Sequence, residues 1–259
     1  HPTFVPESID HEGVDIICRG EGEFAILELL QALHSGAGYM QIKNLDVKKD
    51  GKIYRNDLRD LCDVNALPFP DRELYRDIDE IYHNKRQEVI LGRGCPFDCA
   101  FCSNHAFREL YKDKGAYARR RSVANVIGEL SDIKARFSPS CFFFHDDVFI
   151  SDKAYLSELL SQYIEKIGVP YACLVRADQV TEENAKLLKE SGCYLVSFGV
   201  ESGNARIRNI MMNKHVSDES IYRCAERLHK NRISFSTFNM VGLPGETLLE
   251  AWDTVNINA

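Results

Sequence analysis

From Glu88 onward, five short apolar runs alternate with segments of helical periodicity, and this alternation constrains the fold more than any other feature of the chain. The runs are Val89–Leu91, Cys141–His145, Tyr171–Val175, Tyr194–Val200 and Ile233–Val241. Between them lie Val123–Phe137, Lys153–Ile167, Glu182–Glu190 and Asp218–Lys230, and a last helix starts near Thr247, where Thr247 and Glu250 form a capping box. Short apolar strands separated by helices are the pattern of βα units on a parallel sheet. The expectation is an α/β fold of about five βα units, a barrel-like sheet lacking its final strand. In such barrels chemistry collects at the C-terminal ends of the strands.

Polar residues stand at every one of those ends. The first run leads into Gly92-Arg93-Gly94-Cys95-Pro96-Phe97-Asp98-Cys99-Ala100-Phe101-Cys102, three thiols at spacing C-x3-C-x2-C. Thiolates hold iron–sulfur clusters, and a [4Fe–4S] cube ordinarily takes four of them. Three on one loop can bind three corners and leave one iron open to a small molecule. Two other readings stand beside this one. His105 completes a C-x3-C-x2-C-x2-H set for zinc, although zinc sites more often pair two C-x2-C knuckles or add histidines. The cube could also carry electrons only, with a distant cysteine such as Cys141 as fourth ligand. A disulfide is not expected, since the clustered cysteines are odd in number and nothing marks secretion. The scattered Cys18, Cys62, Cys141, Cys173, Cys193 and Cys224 sit mostly in apolar runs and read as core packing.

With Phe101 just before its third cysteine, the loop resembles the cluster loop of the radical S-adenosylmethionine (radical SAM) enzymes. The resemblance implies a (βα)6-type TIM-like barrel in which Cys95, Cys99 and Cys102 hold a [4Fe–4S] cluster. The amino and carboxylate groups of S-adenosylmethionine would chelate the fourth iron, and one electron from the cluster would break the sulfonium bond to give a 5′-deoxyadenosyl radical. It implies roles at the other strand ends as well. Asp146 and Asp147 stand where the family usually carries Gly-Gly-Glu-Pro, which meets the methionyl amino group; their other reading is helix capping before Lys153. Arg176 either pairs with a carboxylate or forms a salt bridge to an acid such as Asp178. Glu201, bracketed by Gly199 and Gly203, is similar to the residue contacting the ribose or methionine part. Asn239 to Glu246 is similar to the family's G-x-I-x-G-x-x-E region, with Asn239 in place of the leading glycine. It implies adenine contact by the backbone of Val241 and Gly242, Phe101 packing on the adenine, and Glu246 as a helix-start residue.

The first 86 residues differ in character. Val14–Cys18 reads as a strand, followed by the turn Arg19-Gly20-Glu21-Gly22-Glu23 and an amphipathic helix over Phe24–Leu33. Glu21 and Glu23 would repel a phosphate and instead favour a helix N-terminus. Tyr39–Ile42 and Lys52–Arg55 read as a hairpin or edge extension with an Asp-Gly turn. Asn65-Ala66-Leu67-Pro68-Phe69-Pro70-Asp71 reads as a stiff connector. The order His1-Pro2-Thr3, Pro6-Glu7, Asp15-Ile16-Ile17 and Arg19 to Glu23 resembles the second half of the cobalamin-binding Rossmann-like domain that precedes the core in one radical SAM subclass. The expected division is therefore 1–64 for the remnant of that domain, 65–86 for the linker and 87–259 for the core. The D-x-H-x-x-G loop whose histidine ligates cobalt does not occur in this chain, so cobalamin is expected in a longer parent. His1 at the start and the apolar helix barely begun at Leu248–Trp252 read as cuts, making the chain a fragment.

A net charge of −7 argues against a general nucleic-acid surface, and Arg119-Arg120-Arg121 reads as a solvated helix start. No apolar run approaches the ~20 residues of a membrane span and no signal peptide is visible, so a cytoplasmic location is expected. The resemblance implies a flavodoxin or ferredoxin as reductant and methyl transfer to an unactivated carbon as the outcome. Ring formation or another rearrangement is the alternative. Methylthio transfer normally needs a second cysteine cluster, which the sequence lacks.

Overall fold

A computed structural model describes residues 2–78, 83–150 and 152–259. His1 of the opening segment and residues 79–82 of the expected linker lie outside the described residues. The chain divides into two compact units, one of His1–Asp63 with Ala106–Tyr117, the other of Val64–His105 with Ala118–Ala259. Among the described residues no helix is long and apolar enough to cross a membrane.

The first unit holds an antiparallel sheet of β1 (Ile16–Cys18), β2 (Leu45–Lys49) and β3 (Lys52–Arg55), with α1 (Glu23–Ser35). The hairpin is the expected one on its second side only: its first strand is Leu45–Lys49, and Tyr39–Ile42 is loop. Asp50 and Gly51 both take left-handed backbone (φ 50° and 70°), the two-residue turn that forces the flanking residues to pair directly. Lys48 and Lys49 are thus strand residues, while Leu45 and Val47 pack on Ala25 and Leu29 of α1. Asp46 is fully buried and ion-paired to Arg19 and Arg55, each at 3.2 Å. In the Gly20-Glu21 turn the amides point inward. Gly20 N–H donates to Thr3 Oγ1 at 3.0 Å and Glu21 N–H to the Tyr111 hydroxyl at 2.7 Å, consistent with a turn that is no phosphate loop.

The second unit is built on a parallel sheet of five strands, in the order β10-β9-β8-β7-β4: β4 (Arg86–Val89), β7 (Cys141–Phe144), β8 (Tyr171–Val175), β9 (Cys193–Glu201) and β10 (Ser234–Asn239). A two-stranded pair, β5 (Gly92–Arg93) and β6 (Arg119–Arg120), lies outside it. The first strand ends at Val89 rather than Leu91, because the Leu91 amide leaves the ladder to donate to Asp146. Helix α2 (Ser103–Leu110) starts in this unit and continues into the Ala106–Tyr117 segment of the first; the remaining helices are α3 (Val123–Phe137), α4 (Lys153–Lys166), α5 (Glu182–Glu190), α6 (Asp218–Lys230) and α7 (Leu248–Ile257). From α3 onward each is opened by a Ser, Thr or Asp whose side chain accepts an N-terminal amide: Ser122, Asp152, Thr181, Ser217 and Thr247. Each such cap is worth about 1 kcal/mol and stops the helix from fraying into the strand-end loop before it.

Side chains from sheet and helices meet in one core. Phe144 is its centre, with ring centroids 5.1 Å from Phe149, 5.4 Å from Tyr171 and 6.1 Å from Tyr163. The buried hydroxyls are satisfied, Tyr163 donating to Val169 O at 2.7 Å and Tyr171 pairing with Ser191 Oγ at 2.8 Å. The pairing register runs Val89, Phe144, Cys173, Val196, Phe235 straight across the sheet, so the residues following all five strands emerge at one end.

Candidate active site

At that end the chain after β4 turns into the cysteine loop. Leu91 N–H donates to both oxygens of the Asp146 carboxylate at 2.9 and 3.1 Å, which fixes where the loop leaves the sheet. Gly92 is required there: a Cβ on it would lie 2.2 Å from the Arg119 carbonyl, inside the β5–β6 pairing. Cys95, Cys99 and Cys102 are free, half-buried thiols. Cys102 N–H donates to Cys99 O at 3.1 Å, so the last two face one turn of backbone. Among the described residues no three His, Cys, Asp or Glu side chains are gathered closely enough to share one metal ion, the three thiols included.

Burial raises the Cys95 thiol above its ordinary pKa, and the negative charges of Asp147, Cys102 and Cys99 raise it further against a hydrogen bond from Phe97 N–H. Cys99 is also raised by burial, with Arg176 and Lys214 pulling it back. Cys99 is thus the thiol of the loop with two cations beside it. Three separate thiols on one loop, one of them beside two cations, fit an iron–sulfur cluster, in which each iron takes its own thiolate. His105, the fourth donor of the zinc reading, pairs through Nδ1 with Asp98. Cys141, the distant candidate ligand, opens β7 opposite Arg86, three residues before the last residue of its strand, Phe144. At 3.3 Å per residue that is about 10 Å toward the wrong end of the sheet.

The other expected residues fall at the same end with different environments. Asp146 is buried, whereas Asp147 is exposed and accepts a hydrogen bond from Asn104 Nδ2 at 2.9 Å. Neither caps α4, whose N-cap is Asp152. Arg176 forms the salt bridge to Asp178, at 3.1 Å on both oxygens. Glu201 takes left-handed backbone (φ 65°) beside the register shift in β10, and its carboxylate pairs with Lys214 Nζ at 2.8 Å. Gly199 leaves the room for that pair, since a Cβ there would sit 1.9 Å from Glu201 Oε1 and 2.5 Å from Lys214 Nζ. Phe101 is partly exposed, with Lys214 Nζ 5.8 Å from its ring centroid. Val241 is exposed, and the Gly242 amide is occupied by Glu246 Oε2 at 2.6 Å. Glu246 thus closes the 242–246 turn ahead of the helix, which begins at Leu248.

Sequence reasoning missed Asn104, Asn213 and Lys214. Asn104 Nδ2 also donates to Cys102 Sγ at 3.6 Å, and its place two residues after the last cysteine was the available signal. Lys214 and Asn213 lie over a hundred residues from the loop they touch and carry no local signal. A cavity of about 170 Å³ opens beside the loop between Gly92–Pro96, Arg119–Arg120 and Asp146–Val148.

One titration follows from this geometry. Burial pushes the Asp146 carboxyl up to about 7, against the Leu91 and Gly92 amides and Arg120, with Asp147 pushing the same way. Its folded pKa is above its unfolded value, so its contribution to stability is full below about pH 4 and is lost as pH rises through about 7. Urea unfolding is expected to show wild type losing stability between about pH 4 and 7 relative to Asp146→Asn; parallel pH curves for the two over that range would refute the shift.

The match of a family model decides what this strand-end constellation is: the Radical SAM superfamily model matches residues 89–257, from the end of β4 through α7. The chain belongs to the radical SAM superfamily. Its resident cofactors are accordingly a [4Fe–4S] cluster and S-adenosylmethionine, and its α/β fold with five parallel strands is that of radical SAM TIM-like barrels. An uncharacterised methyltransferase of Pyrococcus horikoshii is 30% identical over 98% of this radical SAM chain and 55% of its own length. An anaerobic magnesium-protoporphyrin IX monomethyl ester cyclase of Rubrivivax gelatinosus is 26% identical over 95% of the chain and 45% of its own length. The chain spans about half the length of the curated relatives it matches. Among solved structures, the cobalamin-dependent S-adenosylmethionine radical enzyme OxsB, with aqua-cobalamin and S-adenosylmethionine bound, superposes with a TM-score of 0.78 at 18% identity, over 99% of this chain and 37% of that one.

Proposed function

We propose that this radical SAM chain is the cluster-bearing core of a cobalamin-linked enzyme that transfers a methyl group to an unactivated carbon. The observation that carries the proposal is the methyltransferase of Pyrococcus horikoshii, 30% identical over 98% of the chain, together with the three-cysteine loop at the end of the first sheet strand. Residues 1–64 are read as part of a cobalamin-binding Rossmann-like domain, 65–86 as its linker and 87–259 as the core. The Rubrivivax gelatinosus cyclase supports a second reading, ring formation on a radical intermediate.

When bound, cluster and S-adenosylmethionine supply a 5′-deoxyadenosyl radical by one-electron cleavage of the sulfonium, the electron coming from a flavodoxin or ferredoxin. The protein's part is to hold these groups in register. Cys95, Cys99 and Cys102 hold the cluster. Exposed Asp147 is the carboxylate placed to meet an ammonium, while buried Asp146 anchors the loop through Leu91. Glu201, held by Lys214, faces the ribose or methionine part. Phe101 and the backbone of Val241 and Gly242 flank the adenine, with Glu246 keeping the 242–246 turn closed.

Anaerobic reconstitution with iron and sulfide, then dithionite and S-adenosylmethionine, is the test. 5′-Deoxyadenosine is expected, and with the full-length parent, methylcobalamin and substrate, a methylated product. A reconstituted parent that forms 5′-deoxyadenosine but leaves methylcobalamin untouched would favour the cyclase reading; the absence of 5′-deoxyadenosine would remove both.

A further inference from the structure

The Arg176 guanidinium, 8% exposed at the end of β8, is engaged on four sides. Nε and Nη2 each donate to an oxygen of Asp178 at 3.1 Å. Nη2 also donates to the Lys214 carbonyl at 2.8 Å. Nη1 donates to Cys99 Sγ at 3.6 Å, and the guanidinium carbon lies 3.8 Å from the centroid of the Phe97 ring. Phe97 and Cys99 both belong to the cysteine loop. The segment carrying Lys214 holds the same loop at two more points: Ala100 N–H donates to Met212 O at 2.9 Å, and Asn213 Nδ2 donates to Asp98 O at 2.7 Å. Asn213 and His215, on either side of Lys214, take left-handed backbone (φ 51° and 53°). Such backbone persists only where the surroundings over-determine it.

Lys214 is the second cation near Cys99, but its ammonium is spent on Glu201 at 2.8 Å. Arg176 is the one whose N–H reaches the sulfur. We infer that Arg176, oriented by Asp178 and the Lys214 carbonyl, is a positioning residue that acts through Cys99, fixing that sulfur with an N–H···S hydrogen bond and setting the reduction potential of the cluster. This rests on the cluster being held by the loop. Reduction adds an electron to the cluster, so a hydrogen bond and a positive charge at one ligand sulfur stabilise the reduced state more than the oxidised one. Asp178 offsets part of that charge while aiming the fork.

The test is an EPR-monitored redox titration of the reconstituted chain. Arg176→Gln removes donor and charge, and its midpoint is expected to fall by at least 59 mV, a tenfold change in the one-electron equilibrium. Arg176→Lys keeps the charge and loses the fork, so its midpoint is expected to fall less. Asp178→Asn removes the offsetting carboxylate and is expected to move the midpoint the other way, upward. A purely structural arginine would lower iron content in these variants without this opposed pair of shifts. An unchanged midpoint in Arg176→Gln at full iron content overturns the inference. If that variant does not hold a full cluster, Asp178→Asn decides, and an unchanged or lowered midpoint overturns it. A wild-type chain that takes up no cluster overturns the cluster assignment as well, whereas the unchanged midpoint overturns only the role of Arg176.

Discussion

Replacing Cys99 with alanine is expected to strip the reconstituted chain of its cluster while leaving the fold intact. The thiol is half-buried, and its loop is held by groups that the substitution does not touch: the Cys102 amide on the Cys99 carbonyl at 3.1 Å, and Met212 and Asn213 on Ala100 and Asp98. Stability should therefore change little. Iron retention is another matter, because a cube held at three corners cannot lose one and keep its affinity. Residues that only orient a metal ligand already cost 10–100-fold when removed, so loss of a ligand itself should exceed about 100-fold. Iron analysis and absorption in the visible region, read beside the circular dichroism, check this. Cys141→Ala is the matched control, since Cys141 lies at the other end of its strand with the Tyr194 hydroxyl 3.8 Å from its sulfur. A Cys99→Ala chain that keeps its full iron, or a Cys141→Ala chain that loses it, would contradict the ligand assignment.

Phe144→Ala is expected to destabilise the parallel-sheet unit by about 3–5 kcal/mol. The side chain is fully buried and touches three other aromatic rings contributed by the β7–α4 connection, α4 and β8. None of the strands or capped helices around it can close in to fill the space, so the cost includes a cavity as well as lost transfer free energy. Because Phe144 also ends the strand that delivers Asp146, the loss should appear at the site too, as weaker cluster retention. For a unit of this size about 3–5 kcal/mol corresponds to a drop in Tm on the order of 10 °C. A loss below about 1 kcal/mol would mean that the aromatic cluster is not the keystone of this core.

Much of this architecture could be read from local pattern. The helices Val123–Phe137, Glu182–Glu190 and Asp218–Lys230 and the strand Tyr171–Val175 fall where periodicity and capping residues place them. The position of the cysteine loop at the end of the first sheet strand could be read from the apolar run before it. What escaped is whatever depends on contacts between distant parts of the chain. The hairpin strand Leu45–Lys49, the middle strand of its sheet, was hidden by its lysines, which break the apolar pattern. Two adjacent aspartates in the sequence carry no sign that burial separates them, Asp146 being a buried anchor and Asp147 an exposed carboxylate. The Lys214 clamp follows from a backbone conformation that no residue pattern announces, since Asn213 and His215 are not glycines. Arg176 could be placed at a strand end from sequence, but its reach to Cys99 is set by the register between β8 and the loop after β4.

The EPR spectrum of the dithionite-reduced, reconstituted chain tests most directly whether the three-cysteine loop leaves one iron open. Addition of S-adenosylmethionine should shift the g values of the reduced [4Fe–4S]⁺ signal as the fourth iron gains a new ligand. A reduced-cluster spectrum indifferent to S-adenosylmethionine, or a purified chain carrying stoichiometric zinc at those thiols, would contradict it.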